Sequence, residues 1–247
     1  MKPAMDRLAV VTATLDRHRA AAASESWRSS AAGEWPLYLV EGRYGVVPAF
    51  AEGVSRALQD SHVEVIVCLH DDVFIAEGAW DVRALIHFRD HPRCGLAGFG
   101  GATGLGSLDL YAVPYHPMQL ARVDFRSNMR EAERHGRRTT QPCRVACLDG
   151  FCQIGRRRFF EKAWPFLNAQ GLQHHFYDSA LGCLAKRWGE EAWLIPVACH
   201  HEGKKTAWSP TYQSWATEQH PDGDAGFWQA SHRWGYEALR DVLPIRV

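Results

Sequence analysis

The sequence lacks an apolar segment long enough to cross a membrane. No uninterrupted apolar run among its 247 residues approaches the roughly 20 residues that a transmembrane helix needs. Residues 1–14 also lack the long hydrophobic core and the small-residue cleavage site of a secretory signal peptide. We therefore expect a soluble, cytoplasmic protein without a transmembrane segment.

Neither sign of charge is in excess, since Lys plus Arg and Asp plus Glu both number 28. A balanced chain has no overall field to attract nucleic acid or an anionic membrane, so we expect no nucleic-acid partner. The composition, with 46% hydrophobic and 23% charged residues, also argues against disorder and is typical of one large globular domain.

The seven cysteines form no recognisable framework. Their number is odd, they are dispersed through apparent core segments, and no C-x-x-C pair occurs. Buried thiols in a reducing compartment explain this pattern better than disulfides do. A zinc site at Cys143, Cys147 and Cys152 is the alternative, but their spacing lacks the usual zinc knuckle.

The glycine-rich run at residues 98–106 lacks the register of a dinucleotide-binding fingerprint, and no helical pattern follows it. Flexible backbone beside a site is the better interpretation. Residues 108–138 lose regular periodicity and are predicted to form a solvated insertion, with a lid over the site as the alternative.

The sequence does contain an alternation of apolar strands and amphipathic helices. Strands are predicted over 8–14, 35–40, 63–69, 94–99, 144–148 and 192–197, and helices over 47–58, 80–91, 156–164 and 177–188. A helix plus loop is expected over 16–34 and a closing helix in the tail from Asp222. This order predicts an α/β fold with an open, mostly parallel sheet flanked by helices. We expect one domain over residues 1–210 and a Trp-rich helical extension over 211–247 packed on it.

The central predicted strand ends abruptly in His70, Asp71 and Asp72. In an α/β sheet the carboxyl ends of the strands form the edge where ligands bind. Adjacent carboxylates repel each other in a dry site, so a divalent cation, a sugar hydroxyl or solvent must accompany them. A solvated turn after the strand is the alternative.

Three further polar clusters lie at the ends of predicted elements: Glu41, Asp149 with Asp178, and His200 to Glu202. Strand ends in one parallel sheet share an edge, so several of these clusters are expected to meet. Asp72 and one of the paired histidines would suit a cation such as Mg²⁺ or Mn²⁺. Alternatively, the histidines are polar residues at a strand exit, and Asp178 only caps its helix.

These segments, taken in order, resemble family 2-type glycosyltransferases of the GT-A fold, a nucleotide-sugar-binding fold. The resemblance is closest to members with Leu-His-Asp-Asp-Val in place of the usual Asp-x-Asp motif. The segments that carry it are 10–14, the helix before Val63, 69–73, 148–151, 176–178 and 200–203. Two departures are that His70 replaces the first Asp, and that Glu41-Gly42-Arg43 stands where the family has Asp-Asp-x-Ser-x-Asp.

The resemblance implies a metal-dependent transferase that moves a sugar, with inversion, from a nucleotide-diphosphate donor to an acceptor hydroxyl. The acceptor would be a glycan, a lipid-linked sugar or a small molecule. It places Thr12, Ala13, Thr14 and Glu41 at the nucleotide base and ribose, and Asp71 near the ribose or sugar. It places Asp72, with His200 or His201, on Mn²⁺ or Mg²⁺. Asp178 would be the general base, and Asp149 is the second choice for that role.

Lys204 or Lys205 is expected to assist the leaving diphosphate. A metal-dependent hydrolase with a metal-bound water is the alternative enzyme. A non-catalytic carbohydrate- or nucleotide-binding protein of the same fold is the third interpretation.

Overall fold

The computed structural model describes residues 7–42, 45–106, 125–127, 136–203 and 209–247. The helices in these ranges are α1 (Arg17–Ser30), α2 (Val46–Ala57), α3 (Trp80–Asp90), α4 (Arg157–Ala169), α5 (Tyr177–Arg187), α6 (Pro210–Gln219) and α7 (Gly223–Ala238). The strands are β1 (Arg7–Thr14), β2 (Leu37–Glu41), β3 (Val63–His70), β4 (Val73–Ile75), β5 (Cys94–Gly98), β6 (Gly100–Ala102), β7 (Gly104–Leu105), β8 (Phe125–Ser127), β9 (Cys143–Val145), β10 (Cys147–Leu148), β11 (Cys152–Arg156), β12 (Glu191–Leu194), β13 (Cys199–His201) and β14 (Ile245–Arg246).

A central sheet with the strand order β2-β1-β3-β11-β5-β12-β9 organises the fold. β1 pairs in parallel with β2 and β3, and β12 pairs in parallel with β5. β11 is antiparallel to both β3 and β5, so these two strands share one direction, and β9 is antiparallel at the edge. The predicted α/β fold with an open, mostly parallel sheet flanked by helices is confirmed.

Residues Val65 to Leu69 of the central strand β3 are all apolar because this part of the strand is buried on both faces. Its side chains alternate between two core layers, with Val65, Val67 and Leu69 in one and Ile66 and Cys68 in the other. Phe50 of α2, Trp164 of α4 and Leu181 of α5 belong to the second layer, and Trp27 of α1 and Trp80 of α3 to the first. This double burial fixes where β3 ends, and therefore where His70, Asp71 and Asp72 lie.

Helix α1 is better formed than its irregular sequence indicates. Asp16 caps it, because its side chain accepts hydrogen bonds from the backbone amides of His18 and Arg19 at 2.9 and 3.2 Å. Trp27 is fully buried and donates its indole N–H to the carbonyl oxygen of Val73 at 2.7 Å. The cap and this anchor orient α1 against the turn that follows β3.

His200 and His201 lie in a second, two-stranded sheet, where β13 runs antiparallel to β4. The expectation that they close a strand over 192–197 was wrong, since β12 ends at Leu194. Pro196 follows two residues later and has no N–H to donate to a strand ladder. The chain therefore leaves the central sheet and pairs with β4, directly after Asp72.

The tail forms the helices α6 and α7, which pack on one another. Gly235 and Tyr236 of α7 contact Phe176, the residue before α5. All seven cysteines are free thiols, and six of them are buried. Across the described ranges, no helix combines the length and apolar character needed to cross a membrane.

Candidate active site

Three side chains converge where β3 meets the second sheet. His70 is the last residue of β3, Asp72 precedes β4, and His201 ends β13. Each offers one ligand atom, and these atoms all lie within 4.8 Å of one another. Within the described ranges this is the single such group of His, Cys, Asp or Glu, and the cysteines do not contribute to it.

Asp72 is the buried carboxylate of this group, with 8% of its surface exposed. Its Oδ2 accepts a hydrogen bond from the backbone amide of Gly203 at 3.1 Å. Its Oδ1 is 3.3 Å from Nε2 of His201, an ion-pair distance, but has no well-aligned hydrogen-bond partner among the described residues. An ionised oxygen left in this state is costly unless a cation supplies the missing interaction.

The structure brings His201, and not His200, next to Asp72. Successive side chains of a strand point to opposite faces, so only one of the two histidines can face the end of β3. His201 pairs across the ladder with Val73, and its ring stacks on Phe151 with centroids 5.0 Å apart. The backbone amide of Glu202 donates to the carbonyl oxygen of Asp72 at 3.0 Å, which holds the two segments together.

Burial and neighbouring charge set the protonation states of the group. Burial acts to raise the pKa of Asp72, but His201, His70 and Arg19 outweigh it and hold the pKa well below its usual value. Burial lowers the pKa of His70, and the nearby His201 adds to this effect. Burial also acts to lower the pKa of His201, but Asp72 outweighs it and the pKa is raised. At neutral pH the group therefore contains an ionised Asp72 and a neutral His70.

His70 is held by Tyr177, the first residue of α5. Its Nε2 lies 2.8 Å from Oη of Tyr177, and that hydroxyl donates to the carbonyl oxygen of Gly150 at 2.8 Å. The ring of Phe50 stacks on His70 at a centroid distance of 6.1 Å. Burial raises the pKa of Tyr177 well above its usual value, with Asp178 and Asp149 contributing, so its hydroxyl stays protonated. Tyr177 lies in the 176–178 segment that carries the family resemblance, but the sequence assigned it no role, because a tyrosine at a helix start has no distinctive pattern.

Asp71 is tied to the end of β1 and to α1. Its Oδ2 accepts from the Thr14 hydroxyl at 2.5 Å and from Nη2 of Arg19 at 2.8 Å. Only 16% of the Arg19 side chain and 9% of the Asp71 side chain are exposed. Sequence reasoning missed Arg19, although a cation one turn into the helix after β1 is a recognisable signal near an acidic strand end.

The residues predicted for the base and ribose lie along the same edge of the sheet. In the register of the sheet, Ala13 is opposite His70, and Thr14 is opposite Glu41. Thr12 is fully buried, and its Oγ1 has no hydrogen-bond partner among the described residues. Glu41 is exposed and pairs with Arg17. The side chain of Thr12 is thus part of the core, whereas Thr14 and Glu41 lie at the edge.

The two candidate bases lie on different elements. Asp149 follows β10, where its backbone amide donates to the carbonyl oxygen of Gly100 at 2.8 Å, and its charge acts on His70 and His201. Asp178 lies in the first turn of α5, and its Oδ1 accepts from the amide of Ser179 at 2.7 Å. Lys204, Lys205 and most of the predicted insertion at 108–138 lie outside the described residues.

The profile described as "Glycosyltransferase like family" matches residues 46–189, more than half of the chain. The chain belongs to this glycosyltransferase-like family. The matched region includes β3, the His70 to Asp72 turn, Asp149 and α5. The family resemblance predicted from the sequence is thereby confirmed. A search of curated proteins gave no significant match.

Solved structures identify the fold of this glycosyltransferase-like protein as GT-A. GalNAc-T7, solved with UDP, GalNAc and Mn²⁺, superimposes with a TM-score of 0.54 at 13% identity, covering 87% of this chain and 49% of that chain. The protein A197 from STIV superimposes with a TM-score of 0.51 at 11% identity, covering 80% of this chain and 86% of that chain. At these identities the likeness shows the fold alone, and this chain spans about half of GalNAc-T7.

Proposed function

We propose that this protein is a metal-dependent glycosyltransferase that moves a sugar from a nucleotide-diphosphate donor to an acceptor hydroxyl, with inversion at the anomeric carbon. The observation that carries the proposal is the buried Asp72 Oδ1, which lies 3.3 Å from Nε2 of His201 and has no well-aligned hydrogen-bond partner among the described residues. Ligand atoms of His70, Asp72 and His201 lie within 4.8 Å of one another. This group lies at the ligand-binding edge of a GT-A sheet, in a chain of a glycosyltransferase-like family.

The side chains fit a divalent cation. Asp72 would supply a carboxylate oxygen, and His70 and His201 would supply imidazole nitrogens, a mixed set that suits Mn²⁺ and is less typical of Mg²⁺. Three ligands from the protein leave positions for the oxygens of a diphosphate. A bound cation would neutralise the negative charge that develops on the leaving nucleotide diphosphate.

The donor would lie along the edge formed by β1, β2 and the turn after β3. Thr14 and Arg19 both donate hydrogen bonds to Asp71, and these bonds orient the turn that carries Asp72 before the donor binds. Ala13, Thr14 and Glu41 border the place for the base and ribose. Pre-organisation of this kind lowers the entropic cost of placing donor and acceptor together.

A carboxylate would act as the general base, and Asp178 is our first choice. It follows Tyr177 in the first turn of α5, and Tyr177 contacts His70, so the first turn of the helix lies next to the group. A carboxylate within reach of the acceptor hydroxyl takes its proton as the oxygen attacks the anomeric carbon, a contribution of about 10²–10⁴-fold in rate. Asp149 is the second choice.

A thermal-shift experiment with UDP and GDP, each with and without Mn²⁺, tests this function. A ligand at one hundred times its Kd stabilises a protein by about 2.7 kcal/mol, which is a measurable rise in Tm. We expect stabilisation by one of the nucleotides only when Mn²⁺ is present. Equal stabilisation by Mn²⁺ alone and with nucleotide would favour a metal-dependent hydrolase. Nucleotide binding without sugar transfer to any acceptor of a glycan panel would indicate a non-catalytic binding protein.

A further inference from the structure

The hydroxyl of Tyr177 lies within hydrogen-bond distance of two polar atoms of different kinds. Its Oη is 2.8 Å from the carbonyl oxygen of Gly150 and 2.8 Å from Nε2 of His70. A carbonyl oxygen only accepts hydrogen bonds, whereas an imidazole nitrogen donates or accepts according to its tautomer. The two contacts together therefore determine which ring nitrogen of His70 carries the proton.

The Tyr177 hydroxyl has one proton, and the contact with Gly150 uses it. If that proton pointed to His70, two oxygens with no hydrogen between them would face each other at 2.8 Å inside the protein, which is unfavourable. Towards His70 the hydroxyl must therefore accept, so the proton of the imidazole is on Nε2. A neutral imidazole protonated on Nε2 carries its lone pair on Nδ1.

We propose that Tyr177 is a positioning residue that fixes the tautomer of His70 and thereby makes His70 Nδ1 a ligand for the cation beside Asp72 and His201. This inference rests on the proposed function in assuming that a cation binds there. It makes His70, which replaces the first Asp of the Asp-x-Asp motif, a metal ligand. A carboxylate at that position needs no such partner, because both of its oxygens are acceptors.

The surroundings hold Tyr177 in this orientation. A methyl group on Gly150 would lie 2.2 Å from the Tyr177 hydroxyl oxygen, so this close approach requires glycine. The tyrosine ring packs against Phe50 and Trp164, with centroids 6.5 and 6.0 Å away. Partners that orient a metal-binding histidine in this way typically account for about 10–100-fold in metal affinity.

The experiment compares the wild-type protein with Tyr177→Phe, which removes the hydroxyl and keeps the ring. Long-range ¹H–¹⁵N NMR of the metal-free protein reports the tautomer of His70, whose signals are assigned with His70→Gln. Calorimetric titration with Mn²⁺ alone reports metal affinity. Tyr38→Phe, at a half-buried position on β2, is the matched control and should change neither quantity.

We expect His70 to be protonated on Nε2 in the wild type, to change its tautomer in Tyr177→Phe, and to bind Mn²⁺ about tenfold more weakly in that variant. A proton on Nδ1 in the wild type would overturn the proposal, and this result needs no folded variant. An unchanged tautomer or unchanged Mn²⁺ affinity in Tyr177→Phe would also overturn it. Another outcome is a wild type that shows the expected tautomer but binds no Mn²⁺. That result would contradict the metal part of the proposed function and the role of His70 as a ligand. It would leave intact the conclusion that Tyr177 orients His70.

Discussion

His201 Nε2 lies 3.3 Å from Asp72 Oδ1, although the two residues are far apart in the sequence: Asp72 is in the turn between β3 and β4, and His201 ends β13. The contact exists because β13 leaves the central sheet and pairs with β4, the strand that begins directly after Asp72. The candidate metal site is therefore built at the junction of the two sheets. Its geometry depends on the place of β3 in the central sheet and on the pairing of β13 with β4, and not on the turn after β3 alone.

The ion pair between Arg19 and Asp71 should stabilise the turn before Asp72. Replacing Arg19 with Met leaves Asp71 largely buried without its cation. We expect a loss of roughly 2 kcal/mol in the free energy of unfolding, less than for a fully buried pair because Arg19 retains some contact with solvent. Urea unfolding measures this change. Arg17→Met removes an exposed ion pair with Glu41 and is the matched control, which should unfold like the wild type. Equal stabilities of the two variants would contradict the assignment.

Gly235 of α7 is required by the ring of Phe176. A methyl group at position 235 would lie 2.0 Å from Cε1 of that ring, so either α7 or Phe176 must move. Phe176 has a φ of 68° and sits directly before Tyr177, so a shift would disturb the start of α5 as well. We expect Gly235→Ala to destabilise the protein by about 1–3 kcal/mol, the usual cost of overpacking.

Differential scanning calorimetry measures that loss. Glu237→Ala, on the exposed side of the same helix, is the control for altered helix propensity and should have a near-normal Tm. A Gly235→Ala variant as stable as the wild type would show that α7 does not pack on Phe176 as described. It would also remove the basis for linking the C-terminal helices to the site.

His87 should make the protein less stable in mild acid. Burial lowers its pKa to about 4, and the nearby His91 adds to this effect. An unfolded chain protonates His87 near its ordinary pKa of 6.5 while the folded protein does not, so stability falls as pH decreases from 6.5 towards 4. Above pH 6.5 the residue is neutral in both states and does not change the stability.

Replacing His87 with Phe should reduce this loss of stability in acid, as measured by urea unfolding at several pH values. The exposed His62→Gln variant should keep the wild-type pH profile, and an unaltered profile in His87→Phe would refute the prediction.

The two candidate bases are distinguished by paired substitutions. With Asp178 as the base, Asp178→Asn should lower kcat by about 10²–10⁴-fold and leave the Mn²⁺-dependent affinity for the nucleotide unchanged. Asp149→Asn should then have the smaller effect on kcat. The reverse order would assign the base to Asp149, and normal turnover in both variants would exclude carboxylate catalysis by either residue.

The fold was predictable from the sequence because β3 and its neighbours are apolar runs separated by amphipathic helices. The antiparallel strand β11 was not predicted, since Cys152 to Arg156 is short, contains Gly155, and has no alternating pattern. It is a strand because it fills the space between β3 and β5, which is a tertiary effect. Local pattern therefore identified the class of the fold but not the full order of its sheet.

The candidate site was predictable only in part. Asp72 and the paired histidines were recognisable from their positions at element ends. The choice of His201 over His200 depends on the register of β13 against β4, which no local pattern reveals. The involvement of Tyr177 depends on where α5 begins relative to β3, a long-range packing relation. Such contacts become visible only when the chain is folded.

Sugar-donor turnover by Asp72→Asn tests the central claim most directly. The wild type and the variant are compared on a panel of UDP- and GDP-sugars with Mn²⁺, with donor hydrolysis and transfer both measured. Asp222→Asn, at an exposed position before α7, serves as the control. We predict that the Asp72→Asn variant is folded, loses donor hydrolysis and transfer, and no longer responds to Mn²⁺, while Asp222→Asn behaves as the wild type. Full activity of Asp72→Asn would contradict the assignment of a cation site at Asp72.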